Sequence, residues 1–251
     1  MTPDEMLARL LYRDGLMLVV DKPAGLSVHR GPKGGHSLED YFGVLRFGLP
    51  RDPALAHRLD KDTSGCLVLG RHRKALALLG KLFKRGDIGK TYWAVVEGGP
   101  AEDEGRIDMP LSERDPNRGW WMKPDPHGKP ASSTWKVMGR GEGLTWLALE
   151  PLTGRTHQLR VHCAEMGFPI VGDPIYGTAP RADGPPLHLH ARTITVPISK
   201  NKPAVTVEAP VPEHMRELLT LCGWSGELSR QQLPPVVAGD GEIEEQPGRE
   251  R

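Results

Sequence analysis

The chain has 251 residues, a formal net charge of +1, and 38% hydrophobic and 26% charged residues, enough to bury a sizeable core and ordinary for a soluble globular chain. No apolar run approaches the roughly 20 residues needed to span a bilayer, and residues 1–10 carry acids and no long apolar stretch, so they do not read as a secretory signal. Cys66, Cys163 and Cys222 are far apart with no CxxC spacing, which argues against a disulfide framework or a zinc ribbon and fits a reducing cytoplasm.

In chain order, the apolar run 16–20 reads as a buried strand, stopped by Asp21-Lys22-Pro23 and Gly25. Ser37 is placed to cap a short helix reaching Phe47, with Asp40 as its capping-box partner. Residues 66–69 form a second apolar strand. Residues 73–84 set Leu76, Leu78, Leu79 and Leu82 among basic residues, an amphipathic helix that stops near Gly86. Residues 90–97 are strand-like. From 98 to 130 the chain is dense in Pro, Gly, Asp and Asn and reads as long loops around short strand fragments such as 109–111. Strands resume at 132–138 and 144–150. A helix is expected over 156–166, with Thr156 near its start and Gly167 as its stop. Strands at 187–196 and 205–208 follow, and Pro212 and Gly223 bracket a final helix. Strands outnumber helices without regular alternation, so the expected fold class is α+β with a mixed or antiparallel sheet. One domain is expected over 1–226. Residues 227–251 lack apolar periodicity, turn acidic after Gly239, and are expected to be disordered.

The near-neutral total hides a basic stretch. From Arg51 to Lys90 there are ten Lys/Arg against four acids. Such a segment binds phosphates even on a neutral protein, yet charge alone leaves a solvated helix face equally open. Three further segments carry chemistry. HRLDKDTSG at 57–65 is a polar cluster opening a buried strand, with Gly65 permitting a tight turn. It suits a reactive carboxylate at a sheet rim, and equally a charged turn. In PLTGRTHQLRVH at 151–162, helical spacing points Arg160 toward a carboxylate. His157 and His162 are five apart, a poor spacing for chelating one metal, and each reads as a structural hydrogen-bonding residue. In KTYWAVVEG at 90–98, Tyr92, Ala94 and Val96 share one strand face and Trp93 takes the other.

Taken together, DKPAGLSVH at 21–29, HRLDKDTSG, KTYWAVVEG, GRTHQLRVH at 154–162, GDPIYG at 172–177 and LHLHA at 187–191 resemble, in order, the motifs of RluA-type RNA pseudouridine synthases. The resemblance spans about 16–210. It implies a mixed, largely antiparallel central sheet with flanking helices and loops, forming the catalytic domain. It makes Asp60 the essential carboxylate and Arg58 the residue that enters the RNA stack as the target nucleotide leaves. Tyr92 would pack on the flipped uracil, and Arg160 would pair with Asp60. His57, Lys74, Lys81, Lys84 and Arg85 are the further candidate substrate contacts. Many relatives carry an N-terminal S4 domain; here the first motif lies near the start, so none is expected.

The reaction implied is an isomerisation of specific uridines in structured RNA, in tRNA and/or 23S rRNA, with no metal and no cofactor. The protein is expected to act as a cytoplasmic monomer, with RNA as its partner and no membrane. A target hidden in a stack must be flipped out. A guanidinium at 58 suits the vacated space, and a carboxylate at 60 suits attack or proton removal at the ribose. Gly119-Trp120-Trp121-Met122 lies in the long loop region, where two tryptophans would stack on bases or pack on the core. A phosphatase reading of DKDT as DxDxT fails because the apolar strand follows the acids rather than preceding them. An RNA-binding protein without catalysis is disfavoured, because Asp60, Tyr92 and Arg160 are all present.

Overall fold

The computed structural model describes residues 1–31, 34–115, 121–199 and 201–226. The acidic tail 227–251 lies outside the described residues, as do Gly119 and Trp120. Helix α1 (Pro3–Ala8) opens on a capping box: the Thr2 hydroxyl accepts from the Glu5 N–H at 3.2 Å, and the Glu5 carboxylate accepts from the Thr2 N–H at 2.8 Å. Strands β1 (Leu10–Arg13) and β2 (Met17–Lys22) pair antiparallel, a 3₁₀ segment runs over Leu38–Leu45, and β3 (Ala54–Leu55) and β4 (Ser64–Gly70) follow. Helix α2 (Arg73–Arg85) is capped by the His72 ring, which accepts from the Ala75 N–H, and is ended by Gly86 in the left-handed conformation. Then come β5 (Gly89–Glu97), β6 (Glu104–Asp108), β7 (Leu111–Glu113), β8 (Met122–Pro124), β9 (Ser132–Gly141) and β10 (Leu144–Pro151). Helix α3 (Gln158–Glu165), β11 (Leu189–Val196), β12 (Val205–Glu208) and α4 (Glu213–Leu221) complete the described chain.

The main sheet has the order β1-β2-β4-β11-β5-β10-β9-β6, with β3 beside β4 and β12 beside β11; β7 and β8 form a separate hairpin. Among the described pairings only β4 with β11 is parallel, so the sheet is mixed and largely antiparallel, and the fold is α+β. Its two faces bury different partners. Leu18, Val20, Leu67 and Leu69 face α1 and the 3₁₀ segment, and Ala94, Val96, Leu147 and Leu149 on the same face meet Leu159 and Cys163 of α3. The reverse face packs Met17, Val19, Cys66 and Val68 on Leu79 of α2, and Val95 and Trp146 on Met215 and Leu219 of α4. Tyr92 touches both clusters of the first face, at the junction of the sheet's two halves.

Two expectations shift. The helix expected over 37–47 is the 3₁₀ segment, although Asp40 does accept from the Ser37 N–H at 3.0 Å. The helix expected over 156–166 starts at Gln158, because His157 takes a left-handed backbone (φ 52°) that no helix propagates. The Gln158 side chain instead organises the preceding loop. It accepts from Thr153 Oγ1 at 2.7 Å and the Arg155 N–H at 3.0 Å, and donates to the Ser132 carbonyl and Ser133 Oγ at 2.9 Å.

Candidate active site

The HRLDKDTSG segment is a turn closed by the Thr63 N–H on the Asp60 carbonyl at 3.2 Å, and backbone contacts from three sides hold it. Lys22 is fully buried. Its ammonium donates to the carbonyls of Pro23 (2.7 Å), Leu26 (2.8 Å) and Lys61 (2.9 Å), so the DKPAG loop is stapled to the Asp60 turn. Burial pulls this ammonium down to about 7, against the opposing charges of Asp62, Asp60 and Asp21. His190 Nδ1 meets Ser64 Oγ at 2.9 Å. Gly65 (φ 104°) runs against β11, where any Cβ would collide with the Ala191 carbonyl. The sequence read LHLHA and DKPAG as motifs without roles; their role here is to hold the turn's backbone.

Around the turn's carboxylate stand Tyr92, His157 and Arg160. Burial, then the charge of Asp60, raises the Tyr92 phenol well above its ordinary range, so it stays protonated. Arg160 is 2% exposed. Its Nε and Nη2 each donate at 2.7 Å to one oxygen of Asp173, itself 1% exposed. Burial opposes the Arg160 charge, but the hydrogen bonds and charge of Asp173, with that of Asp60, raise its pKa. Burial likewise opposes the Asp173 charge, yet Arg160 and the N–H groups of Ile175 and Tyr176 bring its pKa below the usual carboxylate value.

The expected direct pair between Arg160 and Asp60 is therefore corrected. A guanidinium this deep requires a fully matched partner, and Asp173 of GDPIYG supplies the fork. Asp60, at 21% exposure, stays at the rim. What approaches Asp60 Oδ2 is His157 Nε2, at 3.8 Å.

His57, expected among the substrate contacts, is also corrected. Its Nε2 accepts the Val68 N–H at 3.0 Å and its ring stacks on Phe83 of α2 at 4.4 Å. Burial, with Lys90 nearby, pulls it down to about 3, so it is a neutral structural residue. His162 is structural as expected, placed between Ser133 Oγ and the Met109 carbonyl at 3.1 Å each. Arg58 is exposed.

Lys74, Lys81, Lys84 and Arg85 are exposed on α2, which covers the sheet face opposite Tyr92. The Phe83 stack on His57 brings the C-terminal end of α2 to the Asp60 turn, while Lys74 lines a small pocket with Leu49 and Pro50 near Gly70, the far end of β4. The four are thus not one patch. The guanidinium groups of Arg181 (4.8 Å) and Arg114 (6.0 Å) both lie over the Trp121 ring. A groove of about 2130 Å³ reaches Lys61, Asp62, Ser64, Trp93 and Arg192 but not Asp60 or Tyr92; Trp93 opposes Tyr92 on its strand, so this groove is not the candidate site. Among the described residues no three His, Cys, Asp or Glu side chains cluster to hold a metal ion, and no helix is long and apolar enough to cross a membrane.

A family model described as RNA pseudouridylate synthase matches residues 16–165. An uncharacterized RNA pseudouridine synthase of Zymomonas mobilis is 43% identical over 212 residues, covering 84% of this chain and 96% of that protein. Ribosomal large subunit pseudouridine synthase D of Xanthomonas campestris is 35% identical over 239 residues, 87% of this chain and 70% of its own length. Among solved structures, human RNA pseudouridylate synthase domain containing 4 superposes with a TM-score of 0.75 at 24% identity, covering 88% of this chain and 95% of that one. Human RNA pseudouridylate synthase domain containing 1 gives 0.70 at 27% identity, covering 84% and 86%.

Proposed function

The chain belongs to the RluA-type family of RNA pseudouridine synthases, which are isomerases, and from that premise we propose that it converts specific uridines of structured RNA, in tRNA and/or 23S rRNA, with Asp60 as the carboxylate that carries the reaction. The supporting observation is the convergence of Asp60, Tyr92 and Arg160 at one end of the sheet, from three separate motifs. In the isomerisation the N1–C1′ bond breaks, the uracil turns, and C5 bonds to C1′. One hydrogen leaves C5 and one is gained at N1, so no oxidant or hydrolytic water is consumed.

Each side chain then has a task. Asp60, partly exposed at the rim, acts on the ribose as nucleophile or base. The protonated Tyr92 ring is a flat wall for the detached uracil. Arg160, neutralised locally by Asp173, keeps positive charge beside Asp60 without being free to seize an RNA phosphate. Arg58, exposed two residues before Asp60, fills the space that the flipped nucleotide leaves in the stack. The name of the Xanthomonas relative refers to the ribosomal large subunit, which supports an rRNA target. The three free, buried cysteines suit a cytoplasmic enzyme, which we take to act as a monomer. Pseudouridine mapping of cellular RNA with and without the gene, beside purified wild-type and Asp60→Asn protein on the RNA so identified, tests the proposal. Sites are expected to vanish without the gene and to form only with wild-type protein; pseudouridine made by Asp60→Asn would overturn the role of Asp60.

A further inference from the structure

His157 is the residue that the reaction scheme leaves unused and the geometry does not. It is a non-glycine residue in the left-handed region (φ 52°, ψ 18°) at the start of α3. Such strain persists where the surroundings over-determine it. Here they do. The ring is 8% exposed, Nδ1 lies 2.9 Å from the Tyr176 hydroxyl, and Tyr176 is itself fixed by accepting the Met122 N–H at 2.9 Å. Nε2 emerges at Asp60 Oδ2, 3.8 Å away, with Arg160 Nη1 at 3.5 Å from the same nitrogen.

We propose that His157 is a positioning residue at the Asp60 rim: anchored through Nδ1 by Tyr176, it accepts on Nε2 from Arg160 Nη1 and so holds that edge of the guanidinium beside Asp60 Oδ2. This rests on Asp60 being the reactive carboxylate. The tautomer follows from the neighbours. Arg160 Nη1 can only donate, so Nε2 is the acceptor and the proton sits on Nδ1, which donates to the lone pair of the Tyr176 oxygen that the Met122 N–H leaves free. At 3.8 Å the ring makes no hydrogen bond to Asp60 itself, and its hold on that carboxylate runs through Arg160. The groups facing the ring are Asp60 and Arg58 from the turn, Arg160 from α3, and Asp173 and Tyr176 from the GDPIYG loop. Burial first, with Arg160 and Arg58, lowers the imidazole and outweighs Asp60 and Asp173, so the ring is neutral at pH 7.

Two substitutions separate positioning from scaffolding. His157→Asn suits the left-handed backbone but is too short to reach Arg160 Nη1. His157→Gln restores an amide oxygen near the Nε2 position that can accept from it. Single-turnover rate and RNA affinity are measured for both beside wild type and Asp60→Asn. His157→Asn is expected to lose at least about tenfold in rate, the scale on which a mis-aimed reactive group is felt, with RNA affinity unchanged. His157→Gln is expected to recover most of that rate and to flatten the part of the acidic limb that the imidazole contributes. Equal rates for His157→Asn and His157→Gln, or a wild-type rate in His157→Asn, overturn the proposal. If His157→Asn does not fold, Tyr176→Phe replaces it, with a smaller loss of rate and a shifted acidic limb expected; an unchanged limb and rate would overturn the proposal equally. An active Asp60→Asn overturns the assignment of Asp60 itself, whereas an inactive Asp60→Asn beside a wild-type-like His157→Asn removes only the role of His157.

Discussion

Helices α2 and α3 both bring positive charge to the end of the sheet where Asp60 sits, in opposite electrostatic settings. Arg160 on α3 is buried, bidentately held, and cannot leave Asp173. Lys84 and Arg85 on α2 are exposed, and Arg85 makes a surface pair with Asp87 at 3.0 Å. Buried charge in matched geometry is felt strongly over short distances, whereas exposed charge is screened within about 10 Å at ordinary salt. The first kind sets the geometry of a reaction and the second gathers a polyanion. Loss of charge on α3 therefore damages stability and rate, and loss on α2 damages affinity alone.

The largest expected effect marks the point that both helices serve. Asp60→Asn keeps the shape of the side chain and removes its ability to attack or to accept a proton. Isomerisation is expected to fall below detection, with fold and RNA affinity intact, as read by mass-spectrometric pseudouridine analysis beside a binding titration. If affinity falls with activity, Asp60 organises the RNA surface as well, and the contrast between the helices blurs.

The α3 side breaks next. Asp173→Asn leaves the Arg160 charge buried without its counter-charge, a loss on the order of 3 kcal/mol or more, visible as a lower urea midpoint. Turnover is expected to fall further than RNA affinity. Replacing both partners, Arg160→Met with Asp173→Leu, is expected to return much of the stability but not the rate, since the buried guanidinium beside Asp60 is then gone. A stable and active double variant would show that the pair is scaffolding and has no part in the chemistry.

Acidification is a third test. Half-buried His57 and buried His190 are each pulled down to about 3 in the fold, chiefly by loss of solvation, against about 6.5 in an unfolded chain. Between those values the unfolded chain binds protons that the fold refuses, so stability falls as pH drops below about 6.5 toward 3. The urea midpoint is expected to decline from pH 7 to pH 5, before most carboxylates titrate. A flat midpoint over that span would mean that these rings take up protons in the fold.

The comparison also shows what was legible. The sequence displayed the strands at 66–69, 90–97 and 144–150 and the helix over 73–84, because apolar pattern and terminal glycine agree there, and the strand at 205–208 between Pro203 and Pro210. It displayed Asp60, Tyr92 and Arg160 through motifs. It did not display that Arg160 would choose Asp173, because depth of burial decides that choice and a one-dimensional pattern does not carry depth. His57 failed for a related reason: a histidine beside an arginine in a polar motif looks accessible until Val68 and Phe83 enclose it. The unexpected α1 had a signal, Thr2 with Glu5, that is strong only when an apolar face follows, and six residues are too few to show one. The staple from Lys22 was hidden because its partners are carbonyls, which no residue type announces.

The smallest expected effect concerns α2, and it sorts residues that the sequence grouped as one basic face. The C-terminal end of the helix meets the Asp60 turn through Phe83 and His57, and Lys74 lies near the far end of β4. An RNA seated at Asp60 is therefore expected to meet Lys84 and Arg85, at the near end of the helix, before Lys74. The paired change Lys84→Gln and Arg85→Gln is expected to weaken binding to any RNA and to lower the slope of log affinity against log salt by about one per lost contact. Lys74→Gln is expected to leave that slope where it was. Because Arg85 also holds Asp87, its phosphate competes with a local carboxylate, and the paired change falls nearer one than two. Single-turnover rate at saturating RNA is expected to hold in both variants, since nothing around Asp60 has moved. Equal slopes in wild type and the Lys84/Arg85 variant would make the whole of α2 a solvated face and leave RNA capture to the exposed Arg58 and the Trp121 hairpin.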